Sequence, residues 1–336
     1  MAARLTIDQA ARHFELHNRT ENKSPRTVSW HNQVLNLFVR FLEERGHSRS
    51  LEVVSEREVR EFILHLQEKK KYSDNPYFHE QDKKLSAYTV QNRVRSLKAF
   101  FAWLEDEGYT EENRLARLRV PKAPQKVAPV LSEDDVRRVL AAIDQDTILG
   151  VRAYAVLVTL LDTGLRCSEL TGLLLADLNL EGSYCKVMGK GAKERIVPFG
   201  AAAQKALWRY VTYFRAGPFH AGIDNVFLTV DGRPMNVNSV KLLMKRVAQK
   251  SGVTRLHPHL CRHTFATRYL INGGDVFSLQ QILGHTTLEM VRRYVNLASA
   301  HVAVQHRKFS PMDLLGSTPG TRTHRDGHRA GFKATR

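Results

Sequence analysis

The segment His257-Pro-His-Leu-Cys-Arg-His263 gathers more potential chemistry than any other stretch of the chain. His259 and Arg262 are three residues apart, a spacing that on a helix turns both to one face, so that both can address one anionic group. Two other readings stay open. His257, His259 and His263 can be zinc ligands, although Pro258 disturbs helical placement and no neighbouring carboxylate or thiolate completes a set. They can also be ordinary structural histidines. In Thr163-Gly-Leu-Arg-Cys-Ser-Glu-Leu170, Arg166 follows a glycine able to end a helix. An arginine at the start of a short helix is well placed to offer a bidentate fork to phosphate. Glu169, three residues on, can orient that guanidinium or the adjoining backbone; an exposed Arg–Glu pair is the plain alternative.

Two further segments carry candidates. Met188-Gly-Lys-Gly-Ala-Lys-Glu-Arg-Ile-Val-Pro198 lacks the spacing of a phosphate-binding P-loop, because Gly191 follows Lys190 where Ser or Thr is required. A lysine at a Gly-flanked hairpin tip can instead reach into a groove, and a partly desolvated one can act as an acid; an exposed turn lysine is the competing reading. In Leu283-Gly-His285, Gly284 can terminate a helix and leave His285 in a fixed turn. Tyr294 follows nine residues after His285. A lone tyrosine is ordinarily core or surface packing.

Bulk properties say what such a set would act on. The chain of 336 residues has 51 Lys and Arg against 34 Asp and Glu, a formal net charge of +17. So basic a balance points to a polyanion, and nucleic acid fits better than a membrane, because no apolar run approaches the ~18 residues a span needs. Cys167, Cys185 and Cys261 are far apart and form no CxxC pair, which argues against a disulfide framework or thiolate zinc. The N-terminus has no signal-peptide apolar core.

Singly these segments are weak. Together, and in this order, they resemble the tyrosine recombinase (phage integrase) family in its Xer-like form: Arg166 in TGLR-x-SE, Lys190 in GKGxKER, His259 and Arg262 in H-x-x-R-H, His285 in LGH, and Tyr294 nine residues later. The spacing from Arg166 to Lys190, 24 residues, also fits that pattern. The resemblance is strong from Ser132 to about Ser310 and extends to the N-terminal half only through its helical pattern. It implies a site-specific DNA recombinase that cleaves and rejoins strands through a 3′-phosphotyrosyl intermediate. Arg166 and Arg262 would clamp the phosphate, Tyr294 attack, Lys190 protonate the leaving 5′-oxygen, His259 act as base and His285 bind the phosphate, with Glu169 in support. No metal, other cofactor or ATP is implied. The implied partners are double-stranded DNA with a specific recombination site, and a homo-tetramer, or a hetero-tetramer with a paralogue, on that DNA. A cytoplasmic, nucleoid-associated location is implied, without a membrane. A type IB topoisomerase and a DNA-binding regulator with a relic active site are the competing functions.

These residues need elements to hold them. The resemblance implies a mainly α chain with a small antiparallel β-sheet in its C-terminal domain: a SAM-like helical core-binding domain over 1–118, a linker over 119–130, a catalytic α+β domain over 131–310, and a disordered basic tail over 311–336. Periodicity and capping predict helices after Ser24-Pro25, after the Ser55–Glu58 capping box, and after Ser86. Arg93, Arg95 and Lys98 fall on the outer face of the last of these and are expected to contact DNA, as are Lys193 and Arg195 of the hairpin. Residues 69–84 read as a polar loop, and the Pro-rich stretch 120–130 as an extended linker. In the catalytic region, helices are predicted from Ser132, over 152–161, 201–215, 237–251, 260–271 and 276–283, with strands at 184–188 and 195–197.

Overall fold

The computed structural model describes residues 5–71, 81–124, 129–189, 194–285, 287–288, 306 and 310. The chain divides into two compact units, Met1–Lys126 and Val127–Arg336. In the first, α1 (Ile7–Thr20), α2 (Pro25–Glu44), α3 (Glu56–Glu68) and a later helix, α4 (Ala87–Asp106), pack around one core. Each begins at a hydroxyl cap: Thr6, Ser24, Ser55 and Ser86 all accept a backbone N–H of their first turn. Such a cap contributes about 1 kcal/mol. The core is the predicted stripe of α2 (Val34, Leu37, Phe38, Phe41, Leu42) against Val59, Phe62 and Leu66 of α3 and Val94, Leu97, Phe101 and Leu104 of α4. Aromatic pairs add directional packing: Phe38 lies 5.1 Å from Phe62, and Phe14 meets Phe100 edge-on at 5.4 Å.

Three details of this unit differ from what the sequence predicts. Residues 69–84 are not simply a loop: β1 (Lys70–Lys71) pairs antiparallel with β2 (Gln81–Lys84). The ladder is flanked by a backbone bond from Leu85 N–H to Lys69 O at 3.0 Å and held by the Lys70–Asp82 ion pair at 2.9 Å. It buries no apolar face, so no alternation marks it in the sequence. Lys98 is not presented to solvent for DNA: its ammonium donates to the carbonyls of Leu115, Ala116 and Leu118 at 2.8, 3.2 and 2.7 Å. An ammonium has three donors, and all are used in fastening the segment after α4. That segment begins the expected linker, yet Val120 packs on the core and Pro121 O accepts from Gln91 Nε2 at 3.0 Å.

The second unit is built around one helix. After α5 (Glu133–Ala141), α6 (Ile148–Thr163) is apolar on nearly every side, with Val151, Ala155, Val156, Leu157 and Leu160 buried. A helix with that composition belongs inside, and α6 packs against both α8 (Ala201–Arg209) and α10 (Pro258–Ile271). Between α6 and α8 come α7 (Cys167–Gly172) and a three-stranded antiparallel sheet in the order β3 (Leu178–Asn179), β4 (Tyr184–Met188), β5 (Glu194–Pro198). The β4–β5 register runs from Tyr184 opposite Pro198 to Met188 opposite Glu194, which turns Cys185, Val187 and Val197 into the core. The helix predicted over 201–215 instead changes at Tyr210 into a π-helical turn, Tyr210–Phe214. There the Tyr210 ring is buried on Phe227 and its hydroxyl accepts the Leu228 N–H at 3.1 Å. Two further helices of the unit are α9 (Val237–Ser251) and α11 (Val276–Leu283), with α11 lying against β5 and α10. No helix among the described residues is long and apolar enough to cross a membrane.

Candidate active site

The ends of four helices of the second unit, α6, α7, α10 and α11, make the site. α6 stops at Gly164, which takes the left-handed conformation at φ 63°, a conformation that favours glycine. Two residues on, Arg166 starts α7. Its backbone N–H donates to Glu169 Oε2 at 2.8 Å and its Nη1 to Glu169 Oε1 at 2.7 Å. Glu169 therefore orients both the backbone and the guanidinium of Arg166. Its side chain is 4% exposed. Burial works to raise its pKa, but hydrogen bonds from Arg195 and Arg166 overcome this and hold it at about 2, so the carboxylate is charged throughout the neutral range.

α10 supplies the second arginine. Arg262 is 5% exposed and donates from Nη1 to Gly164 O at 2.7 Å and from Nη2 to Leu283 O at 2.7 Å and His285 Nε2 at 2.9 Å. Helix α11 ends in a left-handed cap at Gly284, and His285 is fixed there by its own N–H to Gln280 O and by Gln280 Nε2 to its carbonyl, both at 3.1 Å. Arg166 reaches the same cap, donating from Nη1 to Leu283 O at 3.4 Å and from Nη2 to Gly284 O at 3.5 Å. The guanidiniums of Arg166 and Arg262 thus share the carbonyl oxygen of Leu283, although 96 positions separate them in the chain. Two cations held this close form a strongly anion-seeking centre.

The two histidines answer to that charge. Because a guanidinium only donates, the Nε2 of His285 is the acceptor, and its ring proton belongs on Nδ1. Burial, then Arg262, Arg166 and Arg195, push its pKa down to about 4. His259 opens α10 on the solvent side; the packing around its ring, then Arg262, Arg166 and Lys241, lower its pKa as well. Both rings are neutral near pH 7, one a donor at Nδ1 and the other able to take a proton. His257 serves its own helix: its Nδ1 accepts the Leu260 N–H at 3.2 Å and caps α10.

Arg166, His259, Arg262, His285 and Glu169 are thus brought to one place. Lys190, Lys193 and Tyr294 lie outside the described residues. Arg195 does not stand ready for DNA as expected. Its side chain is 11% exposed and donates from Nη1 and Nη2 to the two oxygens of Glu169 at 2.9 and 2.8 Å, and from Nε to Ile282 O at 2.8 Å. Strand parity was the signal for this: Arg195 shares the inward face of β5 with Val197. The Leu283 and Gly284 carbonyls left no signal, since every residue has one. In the first unit Arg95 is exposed on α4, beside a cavity of about 360 Å³ lined also by Trp30, His31, Asn92 and Ser96, and Arg93 is half-buried.

Residues 129–301 match the model of the phage integrase family, and residues 11–111 that of the phage integrase N-terminal SAM-like domain. The chain belongs to the phage integrase family. Among curated tyrosine recombinases it is 31% identical to tyrosine recombinase XerC of Oceanobacillus iheyensis over 87% of this chain and 92% of that one. It is also 31% identical to tyrosine recombinase XerD of Listeria monocytogenes over 83% and 99%. The fold is that of solved family members. The Tn1549 transposon integrase in complex with a circular intermediate DNA matches with a TM-score of 0.67 at 23% identity, covering 86% of this chain and 94% of that one. XerH bound to palindromic difH substrate matches at 0.66 and 18% identity over 90% and 85%. This tyrosine recombinase is therefore a site-specific DNA strand-breaking and rejoining enzyme, mostly helical, with a SAM-like domain ahead of its catalytic domain.

Proposed function

We propose that Arg166 and Arg262 bind the two non-bridging oxygens of the scissile phosphate, and that Tyr294 is the nucleophile. The observation that supports this reading is the meeting of both guanidiniums on Leu283 O. Attack on a phosphodiester adds negative charge to those oxygens, and preorganised donors that face the growing charge lower the barrier. The Tyr294 phenolate oxygen forms a bond to phosphorus as the bond to the 5′-oxygen breaks. His259 takes the phenol proton and Lys190 gives one to the departing 5′-oxygen; each such transfer is typically worth ~10²–10⁴ in rate. His285, whose Nε2 faces Arg262, flanks the phosphate and helps to bind it. Rejoining reverses each step with a 5′-hydroxyl as nucleophile, so the phosphotyrosyl bond conserves the energy of the broken one.

The DNA partner is double-stranded and carries a specific site; XerH, a site-specific recombinase of the same fold, is bound to palindromic difH substrate. The SAM-like unit, within residues 1–118, contributes phosphate contacts from Arg93 and Arg95, and the catalytic unit from Lys193. Strand exchange requires four protomers, a homo-tetramer or a hetero-tetramer with a paralogue, in the nucleoid of the cytoplasm. The role is resolution of chromosomes or movement of a mobile element. The test is a suicide duplex, which traps the covalent adduct once the cleaved end is lost. Wild-type protein forms a protease-sensitive DNA adduct and Tyr294→Phe forms none while binding the duplex equally well. An adduct in Tyr294→Phe would remove the assignment.

A further inference from the structure

All three nitrogens of the Arg195 fork donate within the protein. Nη1 and Nη2 face the two oxygens of Glu169, Nε faces Ile282 O, and the side chain lies so flat on Gly284 that a Cβ there would sit 3.1 Å from its Cδ, Nε and Cζ atoms. We infer that Arg195 is a positioning residue for strand cleavage, acting through Glu169 and the α11 cap and not through DNA. The inference rests on the assignment of Arg166, Arg262 and His285 to the scissile phosphate and adds a second layer beneath them.

The geometry gives Arg195 two roles. First, it divides Glu169. An ionised carboxylate has about four acceptor directions, and here two go to Arg195 and two to Arg166, one of these to its backbone. Without Arg195 a carboxylate that is 4% exposed keeps one cationic neighbour in this cluster. The low-dielectric surroundings then draw the Arg166 fork into a two-pronged pair with Glu169. That turns it from the Leu283 and Gly284 oxygens, the side on which the phosphate binds. Second, Arg195 ties β5 to the end of α11, one residue before the shared Leu283 carbonyl. Strand β5 and the cap that presents His285 are fastened to each other by one side chain. A misplacement of about 1 Å at such a site costs on the order of 10²-fold in rate. Arg195 is also among the cations that keep His285 neutral.

The test uses the full chain and a suicide duplex made from the site recovered in DNA covalently trapped by wild-type protein. Single-turnover cleavage of pre-bound duplex, duplex affinity against salt, and thermal melting are measured for Arg195→Ala, Arg195→Lys, Glu169→Gln and the double variant Glu169→Gln/Arg195→Ala. Arg195→Ala is expected to keep its affinity and salt slope, to cleave roughly 10- to 100-fold more slowly, and to move the acid limb of its pH–rate profile to higher pH. The double variant should be no slower than its slower parent, because the two residues act as one unit. Arg195→Lys keeps the charge but not the fork, so it should also cleave more slowly; it decides the matter by the same criteria if Arg195→Ala does not melt cooperatively. A loss confined to affinity, with the salt slope reduced by about one, would make Arg195 a phosphate contact and overturn the inference. So would multiplicative effects in the double variant, or wild-type rates. Absence of any adduct with the wild-type chain would instead count against the reading of the reaction itself.

Discussion

Gly164→Ala gives the sharpest test of how the site is assembled. Gly164 sits at φ 63°, ψ 21°, and a residue with a Cβ pays about 1–2 kcal/mol to stay in that region. The new Cβ would lie 2.4 Å from Phe265 Cδ1 and 2.8 Å from Leu283 Cδ2. Making room in a packed interior costs about 1–3 kcal/mol more. Together these lower the stability of the catalytic unit by about 2–5 kcal/mol, or its melting temperature by roughly 4–20 °C at 2–4 °C per kcal/mol. The same clash acts on function. Gly164 O and Leu283 O are both acceptors for Arg262, and the alanine methyl pushes directly on the Leu283 side chain. Displacement of the Arg262 fork by about 1 Å would slow cleavage by on the order of 10²-fold. Differential scanning calorimetry of the full chain and single-turnover adduct formation at about 20 °C below the variant's melting point would measure the two effects separately. A variant that melts with the wild type and cleaves at its rate would refute the argument that this glycine joins the ends of α6, α10 and α11.

Other expectations follow from the same geometry. Arg166→Lys should bind duplex DNA but form adduct at least about 10²-fold more slowly, since a point charge cannot serve Glu169, Leu283 O and a phosphate together; near-normal cleavage would show that the fork is dispensable. For pH, His285 is pushed down to about 4 from an ordinary 6.5, so the unfolded chain takes up a proton that the folded chain refuses. Stability of the catalytic unit should fall as pH drops from 6.5 toward 4. Glu169, held at about 2 against an ordinary 4.5, adds a further loss as pH falls from 4.5 toward 2. Denaturant midpoints across this range should show the first loss shrinking in His285→Asn, and an unchanged slope in that variant would contradict it. Lys98→Ala should destabilise the first unit and leave the salt dependence of DNA binding unaltered, whereas Arg95→Ala should leave stability intact and reduce the salt slope by about one; the opposite pattern would exchange their roles.

Much of the site was legible because its residues obey short-range rules. A spacing of three makes Glu169 a cap and an orienting group for Arg166 in a single turn, and the same spacing carries His259 and Arg262 at the start of α10. Glycines 164 and 284 announced the helix ends on which those side chains depend. The unreadable part is long-range and made of backbone. Nothing in a run of letters says that Leu283 O is where two arginines meet, or that Leu115, Ala116 and Leu118 turn their carbonyls toward Lys98. A basic residue shows its charge in the sequence, but not whether its donors are already engaged, as those of Lys98 and Arg195 are within the protein. The β1–β2 ladder escaped notice because it pairs polar residues that bury nothing. The π-helical turn at Tyr210 escaped because its residues continue an ordinary helical pattern.

That the meeting point is a main-chain oxygen has a consequence for how the enzyme tolerates mutation. No substitution at position 283 deletes the oxygen, so the hub of the anion-binding centre is shielded from direct loss by any single codon change. Vulnerability moves to the residues that steer the chain through that point: the glycine that lets it turn, the glutamine that clasps the turn, and the aromatic ring behind it. Inactivating variants should therefore gather around the path of the backbone, and those at the leucine should act only through the packing of its buried side chain.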